Sequence, residues 1–281
     1  MDAELPSTKP APTPVAKGEG PVRVSRPEPG IALVTLDAPT RRNALSREMM
    51  AALARAIDEV SGDRDIAAIV LAANGPAFSA GHDLKELSAH RADADGGRAF
   101  YVETMAACAQ LMQAIVRTPK PVIAAVEGVA TAAGCQLVAT CDLAVAASSA
   151  TFATPGVDIG LFCSTPMVAL SRNVPRKRAM EMLLLGDRLS AEDAARYGLV
   201  NRVVAPERVR DEALGMARTI AGKSRLTVAI GKEAFYRQIE MPLAEAYDYA
   251  AAVMVENMMA ADAAEGICAF LEKRPPVWKG A

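Results

Sequence analysis

Beyond Val22 the chain switches repeatedly between two hydrophobic periods, and after Pro206 it stops switching. That change of pattern limits the folds open to it more than any single residue does. IALVTLD (31–37), IAAIVLAA (66–73), PVIAAVEG (121–128), DLAVAA (142–147) and GLVNRVV (198–204) are short aliphatic and β-branched runs, the pattern of buried strands. Between them 46–60 sets Met49, Met50, Leu53, Ile57 and Val60 on one face at helical spacing, and 99–116 and 134–140 read as further helices. Pro175 takes a first-turn position in the helix PRKRAMEMLLL, which Gly186 stops, and Ser190 to Asp193 resembles a capping box opening the next helix. After Pro206 only helices follow, over 207–220, 226–238, 243–259 and 262–273. Alternating strands and helices followed by helices alone predict an α/β core with an appended helical part.

The 281 residues, 51% hydrophobic and 23% charged, suffice for one large core with that helical part. We expect a disordered tail over 1–20, a core over 21–205 and a helical region over 206–281. A net charge of −2 gives no broad basic surface, so neither nucleic acid nor an anionic membrane surface is an expected partner. The longest apolar candidate for a membrane span, 121–147, is interrupted by Glu127, Gly128, Gly134 and Asp142, so no span is expected. The opening MDAELPSTKPAPTPVAKGEG has no apolar stretch for a secretory signal, and its only cations, Lys9 and Lys17, are too few for an Arg-rich transit peptide. Five cysteines without a Cys-x-x-Cys pair read as buried free thiols in a reducing compartment, and a cytoplasmic location is expected. His82 and His90 are the only histidines, so no His-rich metal site is expected.

Two glycine turns follow strands and precede helices, AFSAGHDLKEL (77–87) and TAAGCQL (131–137). A helix start presents unpaired N–H groups and a partial positive charge, so two converging starts could polarise a carbonyl oxygen. The plainer alternative is a pair of tight connections in an α/β sheet. Asp83 and Glu86 sit where carboxylates favour a helix start and are taken as structural.

These residues resemble the crotonase, or enoyl-CoA hydratase/isomerase, superfamily. The resemblance runs through Arg42-Asn43-Ala44-Leu45, FSAGHDLKEL, ATAAGCQLVATCD, FATP, Ile159-Gly160, AEDA, Gly198-Leu199-Val200 and AFLEKR, nearly the whole chain. It implies an α/β spiral of strand-strand-helix units with a C-terminal helical trimerisation region, assembled as a homotrimer or a dimer of trimers. It also implies an acyl-CoA ligand, coenzyme A arriving as part of the substrate with no separate cofactor. Carried over by resemblance, the oxyanion-hole N–H groups are those of His82 and Ala133. The nucleotide and pantetheine would lie along Asn43, Ala44 and Leu45 and beside Lys85, while Phe270 and Lys273 would reach a neighbouring subunit's nucleotide. Phe162, Met167 and Met258 are expected in the pocket lining.

Two positions depart from the pattern. Hydratases of the superfamily use two glutamates flanking the double bond, and their places here hold Gln136 and Gly156. An amide is neither acid nor base at neutral pH and glycine has no side chain, so hydration of the family type is not expected. GHDLKEL, ATAAGCQLVA, FATPGV and GLFCSTP resemble a subfamily that shares both departures. Asp158 is a candidate substitute: with VDIG extended it would share Gly156's face, about 7 Å farther along. The His82 ring could lean toward the thioester, and Cys163 would need a lowered pKa to act as a nucleophile, burial being the plainer reading. Two rival functions stay open, decarboxylation of a malonyl-type thioester, which an oxyanion hole alone could serve, and acyl-CoA binding without catalysis.

Overall fold

The computed structural model describes residues 20–281, so the tail expected over 1–20 lies, but for Gly20, outside the described residues. A hairpin opens the fold: β1 (Val22–Glu28) pairs antiparallel with β2 (Ile31–Leu36) around Gly30, whose φ of 80° suits a residue without Cβ. There follow α1 (Arg47–Gly62), β3 (Ala68–Ala73), β4 (Ala77–Ser79), α2 (Leu84–Ala89), α3 (Arg98–Arg117), β5 (Val122–Val126), β6 (Val129–Thr131) and α4 (Ala133–Thr140). Next come β7 (Leu143–Ala147), β8 (Thr151–Ala153), α5 (Pro166–Asn173), α6 (Arg176–Leu185), β9 (Leu189–Ser190), α7 (Ala191–Arg196) and β10 (Arg202–Val204). The chain ends in α8 (Val209–Ala221), α9 (Arg225–Gln238), α10 (Leu243–Met259) and α11 (Ala261–Leu271).

Each repeat sends one strand to each of two sheets and then a helix. The larger sheet has the order β1-β2-β3-β5-β7-β10, parallel beyond the first pair; the smaller has the order β4-β6-β8-β9, parallel up to β8. Every residue of β3 and β5 is buried, which is why both read as unbroken apolar runs rather than alternating ones. Helix α1 starts where expected, the Ser46 hydroxyl accepting from Met49 N at 3.1 Å, and buries the five predicted residues together with Ala56.

Several expectations need correction. The strand expected over 198–204 is confined to Arg202–Val204, because Leu199 and Val200 both donate back to the Ala194 carbonyl and close the end of α7. Pro175 caps α6 from outside instead of sitting in its first turn. Helix α8 packs across β2, β3, β5 and β7 through buried Val209, Ala213 and Ala217. Helix α3 is long and apolar enough, by length and composition, to cross a membrane, which the sequence reading overlooked; its Cys108, Leu111, Met112 and Ile115 are buried in the core. Cys268 is exposed, and the other four cysteines are buried as expected.

The last helices are tied down by polar side chains. Lys232 of α9 reaches into the core, donating to Asp142 Oδ2 at 2.7 Å and to the Ile115 and Lys120 carbonyls at 3.0 Å, and Tyr236 donates to Asp142 Oδ1 at 3.0 Å. Beyond α11 the chain folds back. Trp278 lies against Gly266 and donates to the Gly222 carbonyl, while Lys279 and Gly280 N–H groups bind buried Asp262.

Candidate functional site

Strands β4 and β6 lie side by side, and the turns that leave their C-terminal ends touch. Gly81, with φ of 83°, makes that contact possible: a Cβ there would stand 2.9 Å from Thr131 O and from Ala132 Cβ, and 3.1 Å from Ala133 N. Gly134 does the same from the other side, since its Cβ would lie 2.2 Å from the Ser79 carbonyl. Between these glycines Ala132 adopts φ 51° and ψ −120°, a conformation that costs an alanine of the order of 1–3 kcal/mol. It is held there by its own N–H, which donates to Ala153 O at 2.9 Å. This ψ rotates the peptide joining Ala132 to Ala133 away from the helical orientation. Among the described residues neither the His82 nor the Ala133 N–H has an acceptor.

The first turn is braced by the loop before α1. Leu45 N donates to Gly81 O at 2.7 Å, Ala80 N donates to Arg42 O at 3.0 Å, and Leu45 pairs with His82 in a parallel bridge. The His82 ring faces the Leu45 carbonyl through Nδ1 at 3.3 Å, so Nδ1 carries the hydrogen and Nε2 the lone pair. Nε2 is buried and has no partner, and burial lowers the ring's pKa, leaving a neutral imidazole at neutral pH. Asp83 accepts from Lys85 N and Glu86 N at the start of α2, and Glu86 accepts from Arg47 N, so both carboxylates are engaged in holding helices.

The positions that the resemblance assigned to two glutamates hold Gln136 and Gly156. Gln136 is buried on α4, its Oε1 facing the Cys108 thiol at 3.9 Å. Gly156 opens on no empty space: a Cβ there would meet Leu161 O at 2.7 Å and Cys163 Sγ at 2.9 Å. The segment expected to be extended is a 3-10 turn, Pro155–Ile159, which swings the exposed Asp158 off Gly156's face. Its carboxylate instead lies 3.2 and 3.3 Å from where a Gly186 Cβ would stand, at the end of α6. Cys163 is buried and burial pushes its thiol up, so it stays protonated and lacks the lowered pKa a nucleophile needs.

The residues expected to hold the nucleotide divide into three groups. Asn43 is fully buried, and its amide spans the loop to the sheet: Oδ1 accepts from Ala38 N at 2.8 Å, and Nδ2 donates to Asn74 O at 2.9 Å and Ala77 O at 2.8 Å. Leu45 is buried beside it, Ala44 is partly exposed and Lys85 is exposed on α2. Phe270 is 83% exposed and lines a groove of ≈ 610 Å³ with Met254, Met258 and Trp278. Lys273 is exposed just past α11, with φ of 56°. Met258 thus belongs to the C-terminal helices, apart from Phe162 and Met167, which are exposed near Cys163. Sequence reasoning missed Thr154, which is fully buried beside Gly156 with an unpartnered hydroxyl, and the filling of Gly156's surroundings by Leu161 and Cys163.

Residues 26–281 match the profile of the family described as enoyl-CoA hydratase/isomerase. The chain belongs to the enoyl-CoA hydratase/isomerase family. Within it, the subfamily its motifs resemble is that of enoyl-CoA hydratase domain-containing protein 3. The mitochondrial protein of that name from Rattus norvegicus is 48% identical over 90% of this chain and 83% of its own length. A crystal structure of the human protein of that name superposes with a TM-score of 0.87 at 46% identity, covering 92% of this chain and 100% of that one. A crystal structure of an enoyl-CoA hydratase from Mycobacterium smegmatis gives a TM-score of 0.88 at 52% identity, covering 92% of this chain and 99% of that one. The crotonase-type α/β spiral is therefore the fold of this chain. The rat relative's name places that protein in mitochondria, at odds with the cytoplasmic location expected here.

Proposed function

We propose that this family member binds an acyl-CoA and stabilises an oxyanion or enolate at its thioester carbonyl through the His82 and Ala133 N–H groups. The observation that carries this reading is the pair of acceptor-free N–H groups on touching turns, one of them held in a costly backbone conformation. Donors fixed before the ligand arrives need no reorganisation as charge develops, and each is typically worth about 10²–10³ in rate. Coenzyme A would enter as part of the substrate, with no separate cofactor. Exposed apolar residues on α10 and α11, including Met259 and Phe270, favour assembly as a homotrimer or a dimer of trimers.

Ordinary hydration is a weak reading. General acid and base groups are worth about 10²–10⁴ each, and neither Gln136 nor Gly156 supplies one. We expect crotonyl-CoA hydration far below a typical turnover of about 10 s⁻¹; turnover at that level would sink this part of the proposal. Mass spectrometry of acyl-CoA mixtures incubated with the protein reports bound and converted species together. Carbon dioxide loss from a malonyl-type thioester would identify a decarboxylase, and tight binding without any product a binding protein. Failure to retain any acyl-CoA would overturn the proposal itself.

A further inference from the structure

Three buried side-chain polar atoms lack a partner among the described residues: His82 Nε2, Thr151 Oγ1 and Thr154 Oγ1. Folded proteins pair roughly 90% or more of such atoms, so each exception calls for a chemical reason. The threonine hydroxyls cannot take a proton from carbon at neutral pH. The imidazole can, because its Nδ1 hydrogen faces Leu45 O and leaves the Nε2 lone pair free.

The His82 ring makes one hydrogen bond, to the Leu45 carbonyl. Its single hydrogen bond is long, at 3.3 Å, so turning about the side-chain bonds gives up little, whereas an orphaned nitrogen costs about 1–3 kcal/mol. The backbone N–H of the same residue is one of the two oxyanion donors, which puts the ring within one side chain's reach of a bound thioester carbonyl and of the carbon next to it. Gln136 offers no competing base, and Gly156 has no side chain. Burial keeps the imidazole neutral, with the Glu86 carboxylate opposing that effect.

We propose that His82 Nε2 is the base of this site and removes a proton from the carbon adjacent to the thioester carbonyl. The C–H bond breaks as an N–H bond forms on Nε2. The C–H electron pair becomes the carbon–carbon π bond, and the carbonyl π pair moves onto the thioester oxygen, where the two N–H groups hold it. Reversal returns a proton to the same carbon, so the net reaction is exchange with solvent. This inference rests on the acyl-CoA reading above.

The test is deuterium uptake by butyryl-CoA in D₂O, followed by mass spectrometry, with binding measured by calorimetry on the same protein. A saturated thioester separates exchange from hydration. With the wild-type protein butyryl-CoA gains deuterium, His82→Gln slows uptake by about 10²–10⁴, and His90→Gln, altering the other histidine, does not. Free imidazole added to His82→Ala restores part of the rate, which a purely structural role would not produce, and circular dichroism confirms that the variants are folded. Binding without exchange, or exchange by His82→Gln at the wild-type rate, overturns the base while leaving the acyl-CoA reading. No binding by the wild-type protein overturns both.

Discussion

A side chain at position 156 would have to displace Leu161 O and Cys163 Sγ, each closer than 3.0 Å to its Cβ. Gln136→Glu is therefore expected to fold, whereas Gly156→Glu costs about 1–3 kcal/mol through overpacking, read as a lower denaturation midpoint in urea. The pair together should not restore hydration unless the loop over 161–163 moves. Asn43 is a contrasting residue, since its side chain makes three internal hydrogen bonds and has no polar atom left for a ligand. Much of this was legible in the sequence. Gly81 and Gly134 sat at turns that a close approach requires, and Gln136 stood out as a misplaced amide. What fills the space around Gly156 was not legible, because that depends on a 3-10 turn and a loop returning from residues beyond it in the chain.

Among the elements, those with a full period of hydrophobic residues were read closely, and α10 was predicted over its observed span, Leu243–Met259. The smaller sheet was not, because β4, β6 and β8 have three residues each and β9 two, too few for any alternation to register. Helix α9 depends on one ion pair that sequence pattern does not show. Lys232→Met strands Asp142 without its cation and is expected to destabilise by about 3–5 kcal/mol, measured by chemical denaturation. The segment after α11 gives a pH prediction. Burial pushes the Asp262 carboxyl up, but the Ser224 hydroxyl and the Lys279 and Gly280 N–H groups outweigh it and hold the carboxyl below its usual range. A depressed carboxyl contributes stability above the ordinary value of 3.8, and that stability is lost as pH falls through the lower folded value. Trp278, the only tryptophan, should report this release as a red-shifted emission in acid, and Asp262→Asn should show the shifted emission already at neutral pH.

At the scale of the whole molecule, the core closes on itself while the C-terminal helices do not. Leu243, Met254, Met259, Phe270 and Leu271 are each more than half exposed on α10 and α11, more apolar surface than an isolated chain keeps without use. Phe270→Asp is expected to shift the protein toward monomer in analytical ultracentrifugation and to weaken acyl-CoA binding about tenfold, a loss of about 1.4 kcal/mol. An unchanged sedimentation profile would remove Phe270 from any interface.

The crowded neighbourhood of Gly156 also bears on descent within the family. A glutamate introduced at position 156 by one substitution arrives before there is room for it, against Leu161 O and Cys163 Sγ. Any route to a carboxylate at that position runs through a prior change in the loop over 161–163.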